Sequence, residues 1–65
     1  MKINIKRVRL LLAEQRINQT ELAARMGVPP TFVSLIMGRG SCSMKTLVRI
    51  AAGLDVPAEE LMLEG

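Results

Sequence analysis

The 65 residues suffice for one small domain, and their 49% hydrophobic content can supply a single core. Phe32 is the sole aromatic residue and histidine is absent, which predicts an aliphatic core and excludes histidine-based catalytic or metal sites. All nine lysine and arginine residues lie within residues 1–49, whereas four of the six acidic residues lie within 50–65. This asymmetry indicates a basic surface facing a polyanion, although a solvated charged exterior explains it equally well.

A first helix is predicted over residues 5–15, where apolar side chains recur at helical spacing and Asn4 can cap the start. Lys2, Lys6 and Arg9 form a basic stripe beside the apolar one. The apolar run "LLLA" is too short for a signal peptide or a membrane span, so we expect a cytoplasmic protein.

A second, short helix is predicted over residues 19–26. Asn18 can cap it, and Glu21 three residues later gives an asparagine variant of the capping box. Gly27 can supply the left-handed conformation that ends this helix. The segment therefore predicts a helix of about two turns that ends at Gly27.

A third helix is predicted over residues 30–37, with Pro30 at its first position and Gly38 closing it. Pro29 and Pro30 make the connection from the second helix stiff and about three residues long. Helical geometry places one set of positions on the inward side, namely Val33, Ile36 and Met37. It places another set on the outward side, namely Thr31, Ser34, Leu35 and Gly38, with Phe32 on the flank.

A fourth helix is predicted over residues 44–53 after a Ser43 cap, and a fifth over residues 58–63 with acidic residues near its start. Cys42 has no partner for an internal disulfide. We interpret it as a small, half-buried residue in a reducing cytoplasm, with redox sensing as the alternative.

Two short helices around a glycine turn have helix-turn-helix geometry, with Ala23, Gly27, Val33 and Ile36 at the positions that let the helices cross closely. From about residue 8 to residue 61 the chain resembles the DNA-binding domain of the phage repressor and Cro family. The matching stretches are "INQTELAARMGV", "VSLIMGRGS", "MKTLVRIAAGLDV" and "AEEL". The resemblance implies an all-α, compact, five-helix lambda-repressor-like domain over residues 1–65, with the helix-turn-helix at helices 2 and 3.

The resemblance also implies roles for individual residues. The candidate base-contacting residues are Pro30, Thr31, Phe32, Ser34 and Leu35. The candidate phosphate-contacting residues are Asn18, Gln19, Arg39, Gly40 and Ser41. Many relatives place an Arg–Glu ion pair where this chain has Leu12 and Met37, which predicts a dry core contact instead.

The function implied is regulation of transcription by sequence-specific binding to double-stranded DNA, in a protein encoded by a bacterium, a phage or another mobile element. The operator is expected to be near-palindromic and the protein a homodimer. Met62 and Leu63 are the candidate interface, with completion of the small core as the alternative role of these two residues. We expect no cofactor, metal, small-molecule ligand, membrane contact or enzymatic activity.

The outward side of the third helix lacks the side chains that best read guanine or adenine, and three explanations remain open. Thr31, Phe32 and Leu35 could read thymine methyl groups and groove shape. Arg39 or the basic segment 2–9 could read the sequence instead. Alternatively, Phe32 and Leu35 could form an apolar patch of a protein-interaction module with the same fold.

Overall fold

Residues 1–63 are described by a computed structural model. They form four α-helices and one 3₁₀ turn in the order α1 (Ile5–Gln15), α2 (Gln19–Met26), α3 (Pro30–Arg39), α4 (Met44–Leu54) and the turn Ala58–Leu61. None of the helices in this part of the chain has the length and hydrophobicity needed to cross a membrane. The predicted all-α class is confirmed.

The predicted fifth helix over residues 58–63 is wrong in type and length. Ala58–Leu61 is a single 3₁₀ turn, and Met62 has an extended backbone with φ −81° and ψ 134°. The chain leaves the helical conformation here because its backbone pairs with the N-terminal segment: the Asn4 N–H donates to the Leu61 carbonyl at 2.7 Å. Among the described residues, the fold thus has four α-helices and a 3₁₀ turn.

The prediction that Gly38 closes the third helix is also wrong. α3 continues to Arg39, and Gly40 takes the left-handed conformation with φ 72°. The Gly40 N–H donates to the Ile36 carbonyl at 2.8 Å, which completes the last turn. Since only one glycine is needed for the stop, Gly38 stays helical and Arg39 becomes the final residue of α3.

The helices α1, α2 and α4 end in the same way. Each is followed by a residue in the left-handed conformation and then by a half-buried β-branched residue that packs on the core. The N–H of that β-branched residue donates to the carbonyl five residues earlier at 3.0 Å, which is the Schellman arrangement. The three pairs are Arg16–Ile17, Gly27–Val28 and Asp55–Val56.

The core is aliphatic and dry, with no buried polar or charged side chain among residues 1–63. Side chains from every helix and from the 3₁₀ turn meet in one cluster. Leu12 and Met37 are both buried members of that cluster. Both positions therefore hold apolar groups inside the core, and neither leaves an unpaired buried charge.

The N-terminal segment, residues 1–4, runs between two other stretches of backbone. On one side Lys2 pairs with Ser41, and on the other Ile3 pairs with Met62, both in antiparallel orientation. The Ile3 side chain is buried, with 1% of its surface exposed. This segment therefore joins the loop after α3 to the end of the described chain, and it is not a free arm.

Candidate nucleic-acid interface

The helices α2 and α3 are joined by residues 27–29. Gly27 is left-handed with φ 71°, which turns the chain sharply. Pro29 is extended with φ −64° and ψ 148°, and Pro30 starts α3 without needing a hydrogen-bond acceptor for a backbone N–H. Ala23, where α2 meets α3, has no exposed surface. These features fix the orientation of α3 relative to α2.

The two sides of α3 separate as predicted. Val33, Ile36 and Met37 are buried in the core. The opposite side is exposed, with 40% of Phe32 and 53% of Leu35 accessible to solvent. The exposed residues of this helix include all five candidate base contacts, Pro30, Thr31, Phe32, Ser34 and Leu35.

The outer face of α3 offers two hydroxyl groups and a large hydrocarbon surface. Thr and Ser hydroxyls can donate to or accept from a base, but neither makes the bidentate contacts of Arg, Asn or Gln. The Leu35 and Phe32 side chains can contact the thymine C5-methyl group, which distinguishes thymine in the major groove. The chemistry of this face therefore suits methyl recognition better than a code of paired hydrogen bonds.

The start of α2 lies beside this face. The Asn18 side-chain oxygen accepts a hydrogen bond from the Glu21 N–H at 2.8 Å, so Asn18 caps the helix. The Ser34 hydroxyl donates to the Gln19 side-chain oxygen at 3.2 Å. This contact between α3 and α2 was not predicted, because it depends on the distance between two helices rather than on spacing within one.

The end of α3 and the loop after it bring together Arg39, Gly40 and Ser41. Arg39 and Ser41 are exposed and Gly40 is half-buried. The Cys42 N–H donates to the Met1 carbonyl at 2.9 Å, so the N-terminal segment fixes the far end of this loop. Within residues 1–63, the Ser41 N–H donates to no backbone carbonyl and to no side chain.

Three of the nine basic side chains contact other parts of the protein. Arg7 pairs with Glu60 at 3.1 Å and links α1 to the 3₁₀ turn. Arg49 donates to the Met26 carbonyl at 2.8 Å, at the end of α2. Arg25 donates to the Gly53 carbonyl at 3.1 Å, near the end of α4. Arg49 and Arg25 thus complement the negative ends of the α2 and α4 dipoles, whereas Arg7 neutralises a carboxylate. Sequence alone could not separate these three cations from surface charges.

The other six basic side chains are exposed and make no hydrogen bond or ion pair with the described residues. They are Lys2, Lys6, Arg9, Arg16, Arg39 and Lys45. Such side chains are available to an anionic partner.

Cys42 is half-buried in the loop between α3 and α4. Burial raises the pKa of its thiol, and the nearby positive amino terminus opposes that shift only in part. A raised pKa keeps the group as the less reactive thiol at neutral pH. This agrees with the interpretation of Cys42 as a packing residue. Among residues 1–63, no three His, Cys, Asp or Glu residues are grouped so as to hold a metal ion.

A short α2, a three-residue turn and an α3 with one buried and one exposed side define a helix-turn-helix domain. Residues 8–64 match the family of bacteriophage CI repressor helix-turn-helix domains, and the chain belongs to that family. It is thus a DNA-binding domain of the kind found in transcriptional repressors. No curated protein and no solved structure matches the chain.

Proposed function

We propose that the domain represses transcription by binding a short, near-palindromic operator in double-stranded DNA, with α3 in the major groove. Thr31, Phe32 and Leu35 contact bases chiefly through hydrocarbon groups, and Pro30 lines the entry to the groove. The observation that carries this proposal is the exposure of a largely apolar α3 face, with 53% of Leu35 accessible, on a helix whose other side is buried. DNA is a partner that such a face fits when phosphate contacts supply the affinity.

The phosphate contacts are proposed at both ends of that face. At the start of α2, the backbone N–H groups of Gln19 and Thr20 have no acceptor among the described residues, and the helix dipole favours an anion there. At the end of α3, Arg39 supplies a charge, while Gly40 and Ser41 supply backbone. An α3 flanked in this way can lie in a groove between two phosphate backbones.

The Ser34–Gln19 hydrogen bond sharpens the roles of these two residues. Because the Gln19 side-chain oxygen accepts from Ser34, its amide NH₂ is left to donate to a phosphate. Because its proton is donated to Gln19, the Ser34 hydroxyl can only accept a hydrogen bond from a base. Ser34 therefore contributes less to base discrimination than Leu35, and it contributes indirectly to the phosphate contact of Gln19.

Replacing Arg39 with glutamine tests the phosphate contact at the end of α3. Log affinity falls linearly with log salt concentration, and the loss of one phosphate contact makes this negative slope shallower by about 0.9. We expect Arg39→Gln to weaken binding to all duplex sequences alike and to reduce this slope, as measured by fluorescence anisotropy with a labelled 30-base-pair duplex, a length of about three helical turns.

The matched control is Arg9→Gln, which removes an equal charge from an exposed position on α1. It is expected to change the slope less than Arg39→Gln does. An affinity of the unmodified protein that barely changes with salt would contradict DNA binding as the function. If the parent binds in a salt-dependent way but Arg39→Gln has the same slope as the parent, only the proposed Arg39 contact is contradicted.

We also propose that two copies of the domain associate through Met62 and Leu63, because two-fold operators match two-fold proteins. These side chains are 39% and 47% exposed beside the paired N-terminal segment. A Met62→Glu, Leu63→Glu variant is expected to sediment as a monomer at micromolar concentration, whereas the parent sediments as a dimer. Equal masses for the two proteins would contradict this interface.

A second candidate function is protein interaction through the same α3 face. The observation that favours it is a shallow groove of about 180 Å³ beside α3, lined in part by Phe32, Leu35 and Cys42. This function requires salt-insensitive binding to a protein partner that Phe32→Ala abolishes. The salt titration described for Arg39 therefore separates the two candidates.

A further inference from the structure

The pairing between the N-terminal segment and the loop after α3 fixes the position of Lys2. Two hydrogen bonds flank this pair: Ile3 N–H to the Gly40 carbonyl at 3.1 Å, and Cys42 N–H to the Met1 carbonyl at 2.9 Å. Lys2 and Ser41 are therefore directly opposite each other as a non-hydrogen-bonded antiparallel pair. In such pairs the two Cα atoms lie about 4.5 Å apart and the side chains extend to the same side.

That common side faces solvent. Successive residues of an extended segment point to opposite sides, and the next residue, Ile3, is buried with 1% exposure. Lys2 and Ser41 are both exposed, as this alternation requires. The Lys2 side chain thus starts beside Ser41 and points away from the core.

The charge of Lys2 has no partner among residues 1–63, where the Lys2 side chain forms neither an ion pair nor a hydrogen bond. Ser41 lies opposite Lys2, and its N–H has no acceptor among the same residues; the exposed Arg39, the last residue of α3, lies two residues before Ser41 in the chain. A lysine opposite Ser41, an arginine two residues before Ser41 and an N–H that has no acceptor among residues 1–63 are donors of the kind that a phosphate accepts from.

We propose that Lys2 is a phosphate-contacting residue and that it acts together with Arg39 and Ser41, so that this site is built from two distant parts of the chain. The proposal rests on the DNA-binding function proposed above. The backbone of residues 1–4 is already held by hydrogen bonds to the Gly40–Cys42 loop and to Leu61. Lys2 therefore binds without the entropic cost of ordering a free arm.

The test is a salt titration of duplex binding for Lys2→Gln, Lys2→Arg and Arg9→Gln, with a labelled duplex of random sequence. If Lys2→Gln loses one phosphate contact, its affinity falls less steeply with salt than that of the parent. The ratio of the Lys2→Gln affinity to the parent affinity then rises about threefold between about 50 and 200 mM salt. We expect this change for Lys2→Gln, parent-like slopes for Lys2→Arg and a smaller change for Arg9→Gln. Thermal unfolding monitored by circular dichroism checks that the variants fold equally well.

Each outcome bears on a different claim. A Lys2→Gln slope equal to that of the parent, while Arg39→Gln lowers the slope, overturns the role of Lys2 and leaves DNA binding intact. Equal losses for Lys2→Gln and Arg9→Gln also overturn it, because they indicate a general effect of net charge. A parent protein that shows no salt-dependent binding overturns the function itself.

Discussion

Replacing Leu22 with alanine is expected to lower the free energy of unfolding by about 2–5 kcal/mol. Leu22 is fully buried on α2. α4 packs tightly on it, since a Cβ atom placed on Gly53 would lie 3.1 Å from the Leu22 Cδ1 atom. With so little free space around it, the site loses contacts from several directions when the side chain is shortened.

That loss is large for a domain of this size. A chain of 65 residues has a total stability of roughly 3–10 kcal/mol. Thermal unfolding measured by circular dichroism is expected to show a melting temperature lower by at least about 10 °C. Leu35→Ala, at a leucine that is 53% exposed, is the matched control and should change stability by less than about 0.5 kcal/mol. Equal destabilisation by the two substitutions would contradict the assignment of the buried and exposed sides.

Replacing Leu35 with glutamate is expected to abolish high-affinity DNA binding without unfolding the domain. The new carboxylate would face the major groove between two rows of phosphates, and like charges in an interface cost several kcal/mol. An affinity loss of at least about tenfold is expected at moderate salt. The loss is measured by electrophoretic mobility shift, with a duplex that carries an operator selected from random double-stranded DNA by the parent protein.

Leu10→Glu provides the control for this substitution. Leu10 is 49% exposed on α1, so the change makes the same alteration of net charge at a comparably exposed leucine outside α3. We expect Leu10→Glu to retain most of the affinity. Equal losses for both variants would attribute the effect to net charge and would contradict placement of α3 in the groove.

Local signals in the sequence predict α2, its turn and the orientation of α3. Asn18 caps α2 through a contact three residues away, and Gly27 ends it within its own turn. The inward side of α3 follows from helical periodicity, and Val33 and Ile36 are buried as that periodicity predicts. Such features depend on neighbours within one helical turn, so they can be inferred without knowing the fold.

Features that join distant residues could not be inferred in the same way. Lys2 and Ser41 are 39 positions apart, and the alternation of polar and apolar residues in "KINI" (residues 2–5) is too short to predict a paired segment. The bond from Arg49 to the Met26 carbonyl requires the crossing of α4 over α2. The extended backbone at Met62 likewise results from pairing with Ile3. For this reason the last helical element ends at Leu61 and not at residue 63 as predicted.

In the candidate site, too, features set by local sequence could be predicted and features that join distant residues could not. The exposed face of α3 was predicted, because it is the side opposite to the periodic apolar residues. The link between Ser34 and Gln19, and the position of Lys2 beside Ser41, require the packed arrangement of α2, α3 and the N-terminal segment. Roles in base and phosphate contact remain predictions for all of these residues.

Selection of bound sites from random double-stranded DNA, carried out with the parent protein and with Leu35→Ala, tests most directly whether an apolar α3 face reads bases. The expected result is a short, near-palindromic consensus with thymine-rich positions in each half-site, and a loss of preference at those positions for Leu35→Ala. A consensus unchanged by Leu35→Ala, or no enrichment of any sequence by the parent, would contradict base reading by this face.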